Sequence, residues 1–433
     1  MNVRRSAAAL AASAVLCAGA APAALADTAA PSASAPPVIP SGLYGKNDPT
    51  YDGVFRQSLA FVAQHTAGVK PTAQAVDWLT GQQCANGSFP SFRPDTAKAC
   101  DASTYIDSNA TAAAVQALAA LGGHDETVKK AVGWLKSVQN EDGGWSSNPG
   151  GAMDTGTDTN STGIVIGALA AAGEKPDEVK SKAGTAPATA IEAFQITCRE
   201  DGTTGDTPTG AFAFQRDKGV LLPNADATAA AVLGLLGKGM TVEAPKTDKP
   251  VEENPVNCKG GALSREYAAE GGSRYLTDTM AKSGDHLVSA LAGAGEQPDF
   301  GNTADAVVAL AASGHKDAAA KPLVWLEQNA AAWAKTAGPG AYAQLILAAH
   351  AGGKDPKSFG GTDLVAELNA QGPAAQGADA TAKAESKNDK DAKDAEGDKD
   401  SGGQSVWWIV GAGAAAGMGI GFLLSGRRKK NQL

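Results

Sequence analysis

Polar side chains recur near the starts of several Ala- and Leu-rich segments in this 433-residue chain. Their amide, hydroxyl and carboxyl groups could hydrogen-bond a polar ligand. The same residue types also cap helices by accepting from free N-terminal N–H groups, and the two roles can coexist. The candidate ligand-binding residues of this kind are Asp107, Asn109, Thr111, Asp158, Asn160, Thr162, Asn224, Asp226, Thr228, Asn302, Thr303 and Asp305, in which the four threonines occupy equivalent positions.

Aromatic residues in the predicted loops are a second candidate set, because they could offer a flat apolar surface to a ligand. They are Phe89, Phe92, Tyr105, Trp145, Phe212, Phe214 and Tyr342. Ligand contact and core packing both stay open for Phe212, Phe214 and Tyr342, since large aromatic groups are commonly part of the core. His286 lies beside Asp285 and is interpreted as structural rather than as a metal ligand.

The cysteines favour disulfides over a metal site. No Cys-x-x-Cys pair occurs, and none of Cys84, Cys100, Cys198 and Cys258 has a histidine within about ten residues, which argues against zinc. Four cysteines allow three pairings. We favour Cys84–Cys100 and Cys198–Cys258, because each pair brackets one insertion between predicted helices.

The segments that carry these residues are predicted helices of two alternating classes. Six are almost wholly apolar and should be buried on most sides, whereas six are amphipathic. The buried class covers 52–68, 107–122, 158–173, 224–239, 301–314 and 338–352; the amphipathic class covers 72–83, 125–139, 185–197, 272–283, 317–334 and 361–370. Six helix pairs with an inner and an outer ring predict an all-α fold, an α/α toroid with the inner N-termini at one rim.

The two ends carry targeting signals. Residues 1–26 have the charged, apolar and small-residue regions of a cleaved signal peptide, and residues 27–45 are interpreted as a disordered spacer. The toroid is assigned to 46–370 and a charged low-complexity tether to 371–405. An uncharged run at 406–424, followed by the basic tail 425–433, predicts one membrane-spanning helix with the toroid outside the cell.

Two segments match each other 56 residues apart. Gln83 and Phe89 of the first correspond to Gln139 and Trp145 of the second, which also contains Asp142 and Gly143. This motif resembles the Gln-Trp repeat of squalene–hopene cyclases and prenyltransferases, and the predicted toroid is also similar to the helical domain of cobalamin carriers of the intrinsic factor and transcobalamin type. The resemblance implies an α/α toroid in which the Gln-Trp pair is structural.

The catalytic motifs of the resembled enzymes are missing. The chain has no Asp-x-Asp-Asp acid, and Asp154 and Asp158 have the wrong spacing for one. It also lacks an Asp-Asp-x-x-Asp magnesium motif, the Asp, Cys and His zinc ligands of prenyltransferases and a thioester motif. The resemblance therefore favours non-catalytic capture of a small ligand, with cobalamin or another cobamide as the first hypothesis.

A capture role implies a membrane importer or a lid subunit as the partner, because no second domain follows the toroid. The net charge of −9, without a basic patch outside the tail, argues against nucleic acid. The first alternative is a cyclase- or prenyltransferase-like enzyme with atypical residues, which a deep cavity with converging carboxylates would favour. The second is a structural or adhesive surface protein, which a filled toroid would favour.

Overall fold

The computed structural model describes residues 38–197, 208–253, 264–290 and 295–373. Its helices are α1 (Gly53–Thr66), α2 (Ala73–Gly81), α3 (Ser108–Leu121), α4 (Asp125–Ser137), α5 (Thr159–Ala171), α6 (Pro187–Glu192), α7 (Ala225–Leu235), α8 (Arg265–Lys282), α9 (Phe300–Ala312), α10 (Lys316–Asn329), α11 (Ala331–Ala337), α12 (Pro339–Ala351) and α13 (Leu364–Asn369). A 3-10 turn (Pro176–Glu178) and a hairpin of β1 (Arg216–Asp217) with β2 (Val220–Leu221) complete the described part. The predicted signal peptide, membrane span and basic tail lie outside these ranges.

Six helices form a closed inner ring. In chain order they are α1, α3, α5, α7, α9 and α12; each contacts the next, and α12 contacts α1. The other helices pack outside them, with α4 against α3, α8 against α7 and α13 against α12. All six predicted buried segments therefore form the inner ring, and the predicted α/α toroid is confirmed.

Burial explains why the two helix classes differ in composition. Of the 13 residues of α12, only Gly340 and His350 are not buried, so this mostly apolar helix is enclosed on every side. By contrast, α4 buries a single stripe that includes Trp134 and Leu135 and exposes its charged side chains. An inner helix contacts neighbours on both sides and an outer helix behind it, whereas an outer helix keeps one face in solvent.

The ring closes where the two ends of the toroid meet. The backbone N–H of Gly45 donates to Gln371 O at 2.9 Å. Gln64 Nε2 donates to Asn369 Oδ1 at 2.7 Å and to Tyr44 OH at 2.9 Å. Tyr44 is fully buried and Leu43 nearly so, although both fall within the predicted spacer. The toroid therefore begins upstream of residue 46, because the closure of the ring needs this segment.

Residues 238–249, which we term the closing segment, cross the C-terminal ends of the inner helices. The N–H of Met240 donates to Gln116 Oε1 on α3 at 2.9 Å, and Thr241 Oγ1 lies 3.3 Å from Thr66 Oγ1 on α1. His350 Nε2 on α12 lies 3.2 Å from Glu243 Oε1. The N–H of Lys249 donates to the O of Gly314, just after α9, at 2.9 Å. The segment therefore covers this end of the ring.

The outer helices differ from the predictions in their limits. Helix α8 begins at Arg265 rather than at 272, the predicted segment 185–197 contains only the short α6, and the predicted segment 317–334 is divided between α10 and α11. The predicted segment begins at the second residue of the pair Gly271–Gly272, whereas α8 continues through both glycines. In the structure a Cβ on Gly272 would lie 2.6 Å from Val232 Cγ2, so glycine is needed for close packing of α8 on α7.

Candidate functional site

Four of the six inner helices, α3, α5, α7 and α9, are preceded by a capping side chain, as one of the two interpretations expected. Asp107 Oδ1 accepts from Asn109 N at 2.7 Å. Asp158 Oδ1 accepts from Ser161 N at 2.7 Å, and Asn224 Oδ1 accepts from Ala227 N at 2.8 Å. In α9 the same role belongs to Asp299, whose Oδ1 accepts from Asn302 N at 3.1 Å. Sequence analysis missed Asp299 because it placed the start of this helix at residue 301.

The four equivalent threonines anchor the preceding loop to the helix. Each Oγ1 accepts a loop N–H at 2.9–3.1 Å and donates to the O of its capping residue. The four are fully buried. The donor–acceptor sets are Phe89 N with Thr111, Trp145 N with Thr162, Phe212 N with Thr228, and Leu287 N with Thr303. These hydroxyl groups are therefore engaged in bonds within the protein.

The motif glutamines hold the same loops from the other side. Gln83 Nε2 donates to Gly87 O at 3.0 Å, and Gln139 Nε2 donates to Gly143 O at 2.8 Å. Gln195 Nε2 donates to Gly210 O at 3.4 Å, although 15 residues separate this pair instead of 4. Gln195 thus begins a third copy of the repeat, which sequence analysis missed because of the insertion. Its position, 56 residues after Gln139, was a usable signal.

Gly143, in the second copy of the motif, shows why the repeat needs glycine at this position. Gly143 has φ +96°, a conformation that favours glycine, and a Cβ there would lie 2.5 Å from Ala186 O, just before α6. Asp142 Oδ1 accepts from Gly144 N at 3.0 Å and from Thr157 Oγ1 at 2.7 Å, which holds the turn. The motif therefore joins one helix pair to the next by close backbone contact.

Most of the candidate aromatic residues are buried. Phe89, Trp145 and Phe212 are fully buried and occupy the same position in the three copies of the repeat. Tyr342 is 4% exposed, and its OH lies 3.5 Å from Glu367 Oε2. Phe214 is half-buried. The structure therefore places Phe212 and Tyr342 in the packed interior rather than on an open aromatic surface.

Five of the polar side chains on the inner helices that are neither caps nor threonine anchors form the candidate site. We call them the lumen belt: Asn109, Asn160, Asp226, Asp305 and Gln344, contributed by α3, α5, α7, α9 and α12. Asn160 Nδ2 donates to Asp226 Oδ2 at 2.6 Å, and Gln344 Nε2 donates to Asp305 Oδ2 at 3.1 Å. Sequence analysis missed Gln344, because α12 begins with Pro-Gly-Ala and lacks the polar pattern.

The electrostatics of the belt favour neutral carboxyl groups. Burial, with a further contribution from the neighbouring Asp305, raises the pKa of Asp226 well above its ordinary value. Burial likewise raises the pKa of Asp305 to about 7, and Asp299 adds to the effect. Across the described ranges, the ion pairs of lysine and arginine do not include Asp226 or Asp305.

A small axial cavity lies beside the belt, between α3, α5, α7 and the closing segment. It has a volume of about 50 Å³ and is lined by Asn109, Gln116, Asn160, Ile164, Ala230 and Met240, among others. Asn160 is 6% exposed, and its Oδ1 has no hydrogen-bond partner in the described part of the protein. The volume suits roughly three or four water molecules, whereas pockets that enclose a whole ligand measure about 300–1,000 Å³. The accessible wall of this cavity is almost wholly apolar, and the cavity can hold one small group.

A larger cleft of about 230 Å³ lies elsewhere, on the outer wall between α5, α6, α7 and α8. Ile166, Leu235 and Pro187 line it, and the ion pair between Arg265 and Asp177 borders it, with 2.6 Å between Nη1 and Oδ2. None of the candidate ligand residues predicted from the sequence reaches this cleft. We therefore place the candidate site at the lumen belt, where buried polar groups converge.

The other predicted features have these outcomes. Cys84 and Cys100 form a disulfide with a Cα–Cα distance of 5.7 Å, as predicted, while Cys198 and Cys258 lie outside the described residues. His286 stacks on Trp325 with 4.2 Å between ring centroids.

Within the described ranges, no three His, Cys, Asp or Glu side chains are arranged to hold a metal ion. No helix of the described part is long and apolar enough to cross a membrane.

Comparison with known proteins gives structural similarities alone. No family model matches the chain, and no curated protein sequence does. The chain aligns with ent-copalyl diphosphate synthase from Streptomyces platensis at 15% identity and a TM-score of 0.44, covering 69% of this chain and 50% of the synthase. It also aligns with a protein from Actinoplanes at 16% identity and a TM-score of 0.41, covering 68% and 77%. The chain thus spans about half the length of the synthase.

Proposed function

We propose that the toroid is a non-catalytic capture module that holds a small ligand through an N–H-donating group placed at the lumen belt. This proposal rests on the environment of Asn160. The side chain is buried and lines the axial cavity, and its Oδ1 has no hydrogen-bond partner in the described structure. A buried acceptor without a donor costs about 1–3 kcal/mol, so a ligand that supplies the donor recovers that free energy.

The rest of the belt supports the same ligand chemistry. Asp226 and Asp305 are half-buried, and Asp226 Oδ2 lies 2.6 Å from Asn160 Nδ2. The amide donors of Asn160 and Gln344 are already bonded to the two carboxyl groups, whereas Asn160 Oδ1 has no donor in the described part of the protein. A matching ligand carries an amide, ammonium or amidinium group.

The rim around the belt supports a ligand whose remaining part is apolar. Exposed large apolar side chains occur in the loops before five of the six inner helices, and these loops surround the N-terminal end of the ring. They are Tyr51, Tyr105, Met153, Leu222 and Val288, with exposures of 72, 38, 49, 55 and 38%. The body of the ligand would rest on this rim, because the cavity beneath takes only one functional group.

Cobamides remain the first ligands in the proposal, because their side-chain amides supply N–H donors. The volume of the axial cavity excludes enclosure of a corrin ring, so a cobamide would lie on the rim with one amide at the belt. A lid subunit or an importer would then cover its outer face. Attachment of the toroid to the outside of a cell membrane, by residues 406–424, remains part of this proposal.

The test is a titration of the full-length protein with cyanocobalamin, followed by calorimetry and visible absorbance. We expect one saturable site, weakened about 5- to 100-fold by Asn160→Ala through loss of the buried acceptor. Asn329→Ala, on the exposed end of α10, is the matched control and should bind like the wild type. Absence of saturable binding would refute cobamide capture, and binding that is unaffected by Asn160→Ala would refute the belt as the site.

A second candidate function is proton-donating catalysis, as in the cyclase-like alternative. Burial raises the pKa of Asp226 well above its ordinary value, which favours this function because a protonated carboxyl group can act as an acid. The small axial cavity counts against it, since a long hydrocarbon chain could not enter. Incubation with squalene and with geranylgeranyl diphosphate, followed by mass-spectrometric product analysis, tests it. Products formed by the wild type and lost in Asp226→Asn would favour catalysis over capture.

A further inference from the structure

Asp226 and Asp305 lie on adjacent inner helices, and no lysine or arginine of the described ranges forms an ion pair with either carboxyl group. Asp226 lies in the first turn of α7, and Asp305 lies in the second turn of the adjacent α9. Their charges are close enough to influence each other. Each accepts one hydrogen bond from a neutral amide, from Asn160 and Gln344 respectively, and such a bond does not neutralise a carboxylate.

We infer that the lumen belt selects a cationic group, such as a primary ammonium or an amidinium, over a neutral amide. This inference rests on the proposed function and narrows its ligand class, because it ranks ammonium and amidinium groups above the amides of a cobamide. A cation that binds beside Asp226 and Asp305 offsets one of their two negative charges and can donate to Asn160 Oδ1. A neutral amide satisfies Asn160 but leaves the carboxyl groups protonated or in mutual repulsion.

The surrounding charges agree with this choice. Helix α5 contributes Asp158, whose oxygens bond Ser161 N and Oγ, and α9 contributes the capping Asp299. Helix α3 faces the lumen with Asn109 and α12 with Gln344. Lys238 is the one cation among the residues described around the axial cavity, and it belongs to the closing segment at the opposite end. The belt is therefore an acidic environment with neutral hydrogen-bonding neighbours.

Helix N-termini favour anions, which stabilises carboxylates here and weakens the attraction for a cation. The first-turn N–H groups are already partly satisfied by capping side chains, so this opposing effect is small. Burial raises the pKa of Asp305 to about 7, so binding of a cation below that pH must displace a proton. Affinity for a cation should therefore fall about tenfold per pH unit below pH 7, and affinity for a neutral amide should not.

The test compares ethylammonium with acetamide, two probes small enough for the belt, at constant ionic strength. Dissociation constants for the full-length protein come from ligand-observed NMR titrations at pH 8 and pH 6. We expect ethylammonium to bind at least tenfold more tightly than acetamide at pH 8 and to lose at least fivefold at pH 6. Asp305→Asn should lower the ratio of the two affinities at least fivefold, whereas Asp77→Asn on the exposed face of α2 should leave it unchanged.

The outcomes separate this inference from the proposed function. Acetamide that binds as tightly as ethylammonium at pH 8, with both lost in Asn160→Ala, would overturn the cationic preference and leave capture at the belt intact. A preference for ethylammonium that persists in Asp305→Asn and in Asp226→Asn would also overturn it. If neither probe binds in a manner sensitive to Asn160→Ala, the belt is not a binding site and both proposals fail.

Discussion

Replacement of Asp305 by asparagine should make the protein more stable at pH 8 and leave its stability unchanged at pH 4. Burial raises the pKa of this carboxyl group from 3.8 to about 7, so the folded protein favours the neutral form. Between these two values the folded state binds more protons than the unfolded state, and the free energy of unfolding therefore falls as the pH rises. The stabilising contribution of the neutral carboxyl is complete below about pH 4 and is lost by about pH 7.

The magnitude follows from the size of the shift. A change of about three pKa units corresponds to roughly 4 kcal/mol, at about 1.4 kcal/mol per unit. Asp305 is half-buried, so solvent screening lowers this figure, and we expect about 2 kcal/mol. The asparagine variant keeps an oxygen that accepts from Gln344 Nε2 and carries no charge at any pH. The variant should therefore avoid the loss of unfolding free energy that the wild type shows at pH 8, where the buried carboxyl of Asp305 is ionised.

The assay is urea denaturation of the wild type and of Asp305→Asn, followed by circular dichroism at 222 nm, at pH 4, 6 and 8. Asp77→Asn removes an exposed carboxyl from the outer helix α2 and is the matched control. The stability difference between Asp305→Asn and the wild type should increase with pH, and the difference for Asp77→Asn should stay near zero. An equal difference at pH 4 and pH 8, or a variant less stable than the wild type at pH 8, would refute the reasoning.

Three further predictions concern the scaffold and use the same denaturation assay. Gly143→Ala should lower the unfolding free energy by about 3 kcal/mol or more, because the new Cβ overlaps the backbone and the positive φ is strained. Gly150→Ala, at φ +70° with open space around it, should lower it by only about 1 kcal/mol. Equal losses would contradict the role of close contact at Gly143. Replacement of Cys84 and Cys100 by serine should lower the unfolding free energy by about 3 kcal/mol, and no loss would show that the loop needs no crosslink. Gln64→Ala should cost about 2 kcal/mol, because it removes both side-chain bonds at the ring closure; an unchanged urea midpoint would mean that these bonds are dispensable.

The sequence predicted the inner ring well because each inner helix has clear chemical limits. Helix α3 is bounded by the capping Asp107 and by Gly122, whose φ of +71° ends the helix, and the predicted range 107–122 agrees with Ser108–Leu121. The outer helices were predicted less well, since their limits depend on tertiary contacts. The glycines of α8 weaken a helix locally, yet the contact of Gly272 with α7 requires one of them.

The candidate site was predicted as a set of polar helix starts, without a distinction between anchors and lumen residues. Helical geometry provides that distinction. Asn160 and Thr162 are two residues apart and therefore point about 200° apart, so one faces the lumen and the other faces the loop. Asp305 lies four residues after Gly301, the α9 counterpart of Asn160, and therefore shares its face. The pKa values could not be predicted, because they depend on burial inside a ring that only the fold creates.

The two ends of the ring have different chemistry, and this difference decides where a ligand can approach. At the C-terminal end the closing segment is held in place: Lys249 Nζ lies 2.6 Å from Glu270 Oε2, and His315 Nδ1 donates to Lys249 O at 2.6 Å. Burial acts to raise the pKa of Glu270, but hydrogen bonds from His315 and Lys249 hold it at about 2. The Glu270 carboxylate that anchors the closing segment is therefore charged at every physiological pH.

At the N-terminal end the loops leave apolar side chains exposed around half-buried carboxyl groups, and no lysine or arginine among the described residues pairs with these groups. Charges are thus satisfied where the ring is covered and unsatisfied where it is open. A purely structural toroid needs the paired charges at the C-terminal end, but unpaired carboxyl groups at the N-terminal end do not stabilise it. Neutral side chains at positions 226 and 305 would pack there with a smaller desolvation cost. The presence of Asp226 and Asp305 at the N-terminal end is therefore an argument for ligand binding there. The increase in unfolding free energy on Asp305→Asn would measure how much stability this function removes from the fold.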